Sequence, residues 1–179
     1  MPEQIKIPII IDSRESVPYL FKKYPDVEVI RTKLDVGDFS IRDYTERLMI
    51  ERKTISDLCG SFTAGRERFK GMWERATQQV RFLLIEGRLS NILWGNYRSD
   101  LDPHSLIASI MSWSIKYKFS WFCVDNEIEG QMAVYWICRE FLRLKAEGSL
   151  KEIINFGGEK NGKEGWREWR QWDWNKQGT

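Results

Sequence analysis

The sequence predicts an α/β protein built on a mixed sheet flanked by helices, and three observations carry that prediction. Short β-branched or apolar runs recur along the chain, as at 5–12 and 81–87. Between them lie stretches whose apolar residues repeat at helical spacing, as at 103–117 and 127–147. Two apolar-alternating runs, 37–42 and 47–53, flank the polar Asp43-Tyr44-Thr45-Glu46, a connection of hairpin length that sets an antiparallel pair into the pattern.

Taken in order, 5–12 is a β-branched run ending on Asp12, which reads as a buried strand with the acid at its exit. Residues 15–24 read as a short helix with Pro18 in its first turn, where a missing N–H costs little. A second strand is expected over 27–34, then the hairpin strands, then helices over 54–60 and 64–79. The 81–87 run is a strand ending on Glu86 and Gly87, and 89–94 gives one or two helical turns. Asp102-Pro103 supplies an N-cap and a proline at the first helical position, opening a helix to Tyr117. After a strand over 119–125, Asn126 and Glu129 have the spacing of a capping box and open a long helix stopped by Gly148.

Composition bounds the function. At 179 residues the chain is the size of one domain, with 42% hydrophobic, 13% aromatic and 30% charged residues. A net charge of +2 excludes a strong overall positive field, so any nucleic-acid affinity must come from local patches. No stretch reads as a signal peptide or membrane span, so an intracellular, cytoplasmic protein without membrane partners is expected, with a nucleoid-associated or virus-encoded setting both compatible. Cys59, Cys123 and Cys138 are widely spaced in apolar neighbourhoods and fit reduced core residues better than a zinc or disulfide framework. His104, beside a helix start, reads as a surface or capping residue.

The chemistry concentrates between Asp38 and Asp57. Alternation along a strand puts Glu51 and Lys53 on one face, and a hairpin partner brings Asp38 toward it. Two carboxylates and an ammonium at strand ends suit phosphodiester hydrolysis. The acids hold a hard cation such as Mg²⁺, which polarises the phosphoryl group and lowers the pKa of bound water. Lys53 orients that water and offsets charge on the phosphate. Asp57, in the following helical turn, is placed to hold Lys53 or Arg52. As a purely structural ion-pair cluster, the group would be costly to bury without a partner ion.

Gly37-Asp38, then Glu51-Arg52-Lys53, then Asp57 resembles the GD…ERKxxxD motif of the XPF family of structure-specific endonucleases. Asp12-Ser13-Arg14-Glu15 resembles the family's opening D-x-R-E, and Asp57-Leu58-Cys59-Gly60-Ser61 its D-L-x-G-S continuation. Ala64-Gly65-Arg66 and Leu84-Ile85-Glu86-Gly87 fall where the family has a G-R helix and an L-I-E-G strand. The resemblance implies a restriction-endonuclease-like core that cuts branched, forked or flap DNA with Mg²⁺ or Mn²⁺, in repair or recombination. It implies metal ligands at Asp38 and Glu51 with the Arg52 carbonyl as a third, Lys53 as catalytic lysine, and Asp12, Arg14, Arg52 and Asp57 completing the site and contacting phosphate. Arg66, Arg68 and Lys70 would meet the DNA backbone, although Glu67 and Glu74 between them also suit a solvated helix face.

The family's pairing through nuclease domains implies a homodimer, with 127–147 as the candidate surface. The expected organisation is a stand-alone nuclease domain over 1–152 followed, over 153–179, by a Gly/Lys-rich linker and a Trp-rich segment. That last part is too short for the tandem helix-hairpin-helix domain that many members carry, and no Walker A motif occurs. Trp166, Trp169, Trp172 and Trp174 suit core packing or a subunit interface, with base stacking physically available. The alternative, from another class, is a non-catalytic DNA-binding or scaffolding subunit with a nuclease-like fold.

Overall fold

The computed structural model describes residues 6–150 apart from Gln79. Six strands, β1 (Ile7–Asp12), β2 (Val27–Thr32), β3 (Phe39–Ile41), β4 (Leu48–Thr54), β5 (Val80–Glu86) and β6 (Ser120–Val124), form one sheet in the order β2-β1-β3-β4-β5-β6. β3 pairs antiparallel with β1 and β4, while β1–β2, β4–β5 and β5–β6 are parallel. The expected mixed sheet and its hairpin are both present.

Helices cover both faces because the central strands are apolar on both sides, as parallel pairing requires. On one face, Ile7, Ile9, Ile11, Phe39, Ile41, Leu48, Ile50 and Leu84 pack against α5 (Glu127–Glu147). On the other, Met49, Leu83 and Ile85 meet α1 (Ile55–Phe62), α2 (Arg66–Arg75), α3 (Leu89–Trp94) and α4 (Pro103–Tyr117). Trp73, fully buried, stacks on Phe119 at 4.1 Å and anchors that second layer.

Local chemistry sets the helix ends. Thr54 caps α1, accepting from the Asp57 amide, and Asp102 caps α4, accepting from Ser105 N. Asn126 caps α5 by accepting from Ile128 N and Glu129 N, while Glu129 returns a bond to the Asp125 amide at 2.8 Å, one residue earlier than a capping box has it. Gly148 ends α5 at φ 80. The cysteines are free, with Cys59 and Cys138 buried. Among the described residues no helix is long and apolar enough to cross a membrane.

Three expectations shift. Residues 15–24 form no helix. Pro18 denies the segment a backbone donor, and the chain is instead drawn flat onto the sheet by Tyr19 and Phe21, both buried, with Phe21 at φ 51 and its amide bonded to Gln131 Oε1 of α5 at 2.8 Å. β2 stops at Thr32, because Leu34 N is taken by the Asp12 carboxylate at 2.8 Å. The helix expected over 64–79 narrows to Arg66–Arg75. The linker, the Trp-rich segment and the boundary at 152 lie outside the described residues.

Candidate active site

Gly37 begins the site. Its φ is +77, and a Cβ there would lie 2.8 Å from Met49 Cγ and 3.1 Å from the Ile50 carbonyl, so a glycine alone lets the chain pass this close to β4. Asp38 is thereby stitched between two strands. Its N–H donates to Ile50 O at 2.8 Å, its carbonyl accepts from Asp12 N at 2.8 Å, and its Oδ2 accepts from Arg52 N at 2.7 Å.

Met49 belongs to the α1–α2 side of the sheet, so alternation sends Glu51 and Lys53 to that side too. Lys53 Nζ lies 2.8 Å from Glu51 Oε1 and 5.7 Å from the Phe69 ring centre. Glu51 is 5% exposed. Burial pushes the Asp38 carboxyl up to about 8, and the Glu51 charge adds to the rise, offset in part by the Arg52 amide and Lys53. Burial works against the Lys53 ammonium as well, but Glu51, Asp38 and Asp57 outweigh it and hold its pKa above the usual lysine value. Two carboxyl groups thus share one ammonium, and Asp38 keeps its proton up to about 8.

This donor set is all oxygen, which fits a hard divalent cation rather than a soft metal.

The other expected site residues divide. Asp12, 2% exposed, has both oxygens occupied: Oδ1 accepts from Arg14 N and Nε, and Oδ2 from Arg14 Nη2 and Leu34 N, all at 2.7–2.8 Å. The Arg14 fork holds Asp12 down at about 2, against the opposing pull of burial. Asp12 therefore orients Arg14, with all four of its acceptor positions already taken. Arg14 itself keeps a 62% exposed side chain beside Asp38.

Asp57 does not bond Lys53 or Arg52. Its Oδ2 accepts from the Thr54 hydroxyl at 2.8 Å, and its amide donates back to Thr54 Oγ1 at 3.1 Å. It acts on Lys53 through charge alone. Arg52 also departs from expectation, because one step of alternation turns its guanidinium away from Glu51 to the α5 side. There it pairs with Glu86 at 2.8 Å and Glu15 at 3.7 Å, donates to Val17 O at 2.8 Å, and lies 4.6 Å over the Tyr19 ring. Glu86, Glu15 and Tyr19 had no role assigned from sequence. The available signal was that an arginine between two buried alternating positions needs an acid on the opposite face.

On α2, Arg66 donates to Phe62 O at 3.3 Å and stacks 5.2 Å over Trp113. Arg68 is exposed, and Lys70 sits between Glu67 at 3.6 Å and Glu74 at 3.8 Å.

Fold and site together define an α/β protein with a mixed six-stranded sheet flanked by helices and its candidate site on β4 and the turn before β3. Residues 11–136 match the ERCC4 domain, and the chain belongs to that family. Solved structures similar to it include XPF from Aeropyrum pernix, with a TM-score of 0.61 and 22% identity over 86% of this chain and 75% of that one. XPF from Aeropyrum pernix in complex with DNA matches with a TM-score of 0.59 and 22% identity over 75% of this chain. This chain spans 64% of the length of that one. At such identity the likeness establishes the fold, and the expected architecture is borne out. No curated protein sequence matches the chain significantly.

Proposed function

We propose that this chain is a divalent-metal-dependent endonuclease that hydrolyses phosphodiester bonds in DNA at branched, forked or flap structures. One observation carries the reading: Asp38 and Glu51 converge with Lys53 on one face beside β4, where burial and the Glu51 charge hold the Asp38 proton up to about 8 and a further cation would release it. Asp38 and Glu51, with the Arg52 carbonyl, would hold Mg²⁺ or Mn²⁺. Such an ion, when bound, supplies Lewis acidity and a bound water of lowered pKa. Lys53 stays protonated, steadies Glu51 and offers its remaining N–H donors to a water or phosphate oxygen. Arg14, exposed and locked in direction by Asp12, is aimed to take a phosphate oxygen of the scissile strand.

Arg66 and Arg68 would track the backbone of the bound DNA, with Lys70 contributing less because two glutamates already neutralise it. Pairing of two copies through α5 is supported by its exposed stripe of Ile128, Met132 and Trp136, at 60%, 47% and 46% exposure and successive four-residue steps. An intracellular location suits DNA as substrate.

Purified protein incubated with labelled flap, fork and plain duplex DNA in Mg²⁺ or Mn²⁺ tests the reading. Cleavage of the branched substrates, lost in Asp38→Asn and Glu51→Gln, is expected. Binding to forks with no cleavage by the wild type would instead favour a non-catalytic scaffolding subunit.

A further inference from the structure

We propose that Tyr19 is a positioning residue for the catalytic strand, acting through Glu86 and Arg52 on the Asp38 carboxylate, and that Gly130 of α5 is the residue that makes room for it. The inference rests on the nuclease reading above.

Arg52 is the knot that joins the two faces of the sheet. Its amide, 2.7 Å from Asp38 Oδ2, is a direct hold on that carboxylate, while its guanidinium is anchored on the far side by Glu86 Oε2 at 2.8 Å and Val17 O at 2.8 Å. The anchor is only as firm as Glu86, a carboxylate with rotational freedom of its own. Tyr19 removes that freedom: its hydroxyl donates to Glu86 Oε1, so the two oxygens of Glu86 are held by two donors from two directions.

Tyr19 reaches Asp38 by a second line. Its ring, 0% exposed, stacks at 5.0 Å on Phe39, the residue that follows Asp38 in the chain. A single aromatic side chain thus bears on the carboxylate from its neighbour and from its hydrogen-bond donor.

α5 closes over this arrangement at Gly130. A Cβ there would overlap Tyr19 Oη, stand 2.7 Å from Tyr19 Cζ and approach Glu86 Oε1 to 3.3 Å. Any side chain at 130 has to expel the hydroxyl from Glu86. A helix-interior glycine is otherwise unfavourable, which makes the close approach the physical reason for it.

A buried Arg–Glu pair is weak evidence for stability, since desolvation offsets its attraction. Small misplacements of a ligand near the chemistry, by contrast, are costly in rate. The network therefore fits positioning better than stabilisation.

The test uses the full chain. Tyr19→Phe keeps the ring on Phe39 and under Arg52 and removes only the hydroxyl. The expected result is a kcat lower by about tenfold with KM for flap DNA within roughly twofold. Amide hydrogen exchange at Arg52 should quicken by about tenfold, while that of buried Leu83 stays unchanged. Tyr135→Phe, which deletes a comparable buried hydroxyl bond to Asp26 at 2.8 Å, is the control and should leave kcat and Arg52 exchange as in the wild type. Gly130→Ala should reproduce the Tyr19→Phe effects and add little to them in the double variant. If it fails to fold, Glu86→Gln reads the same link. Wild-type kcat and wild-type Arg52 exchange in Tyr19→Phe overturn the inference. So do equal losses from Tyr135→Phe, or a fall in kcat with Arg52 exchange unmoved. If the wild type cuts no DNA, the nuclease reading fails, and Arg52 exchange alone still decides this one.

Discussion

Lys53 Nζ stands 2.8 Å from Glu51 Oε1, beside an Asp38 carboxyl whose ionisation burial and the Glu51 charge both disfavour. Its loss leaves Glu51 and Asp38 uncompensated. Lys53→Met is therefore expected to abolish cleavage and, in chelator, to lower stability by about 2–4 kcal/mol in urea unfolding. Wild-type stability in that variant would mean that the acids are neutralised in some other way.

The same imbalance gives Asp38 a pH signature. In the unfolded chain its carboxyl ionises near 3.8, whereas the folded protein holds the proton up to about 8. Between those values the native state binds more protons, so in metal-free buffer this group makes stability fall as pH rises. Asp38→Asn should flatten the Tm profile over that window. An identical slope in the variant would contradict the assignment.

Asp12 behaves oppositely. Its folded pKa of about 2 lies below the ordinary 3.8, so it contributes about 2 kcal/mol above the higher value, lost as pH falls through the lower one. Asp12→Asn should remove that acid-side loss and, by freeing Arg14, weaken cleavage without weakening divalent-ion binding. Weakened ion binding would make Asp12 a ligand after all.

Divalent ions should stabilise the protein at the expense of that repulsion. At about a hundredfold excess over Kd, Mn²⁺ is expected to add about 2.7 kcal/mol, read as a rise in Tm, and Glu51→Gln should abolish the rise. An equal rise in the variant would locate the ion elsewhere.

On the DNA side, Arg68→Ala should weaken fork binding and reduce its salt dependence by about one unit of slope, with Lys70→Ala giving less because Glu67 and Glu74 flank it. Equal losses would show that the glutamates yield the lysine on binding. On the pairing side, Trp136→Glu should turn any dimer seen by light scattering into monomer.

Much of the architecture was legible along the chain. Strand alternation at Glu51 and Lys53, the caps at Asp102 and Asn126 and the stop at Gly148 are local rules, set by residues within a turn or two of one another. The acids and the lysine of the site could be named for the same reason: they lie near one hairpin. Residues 15–24 escaped such rules because Pro18 and two aromatics favour burial over a helix, and what buries them, Phe39, Gln131 and Glu86, comes from three distant elements.

Which carboxyls and which lysine meet is written in the order of residues, since a period of two along β4 and a glycine turn before Phe39 leave them one shared face. The partners of Arg52, Asp12 and Asp57 emerge only from packing in the folded chain. Their roles depend on which polar groups reach them first in a crowded, poorly solvated interior, and those groups are Glu86, Arg14 and Thr54.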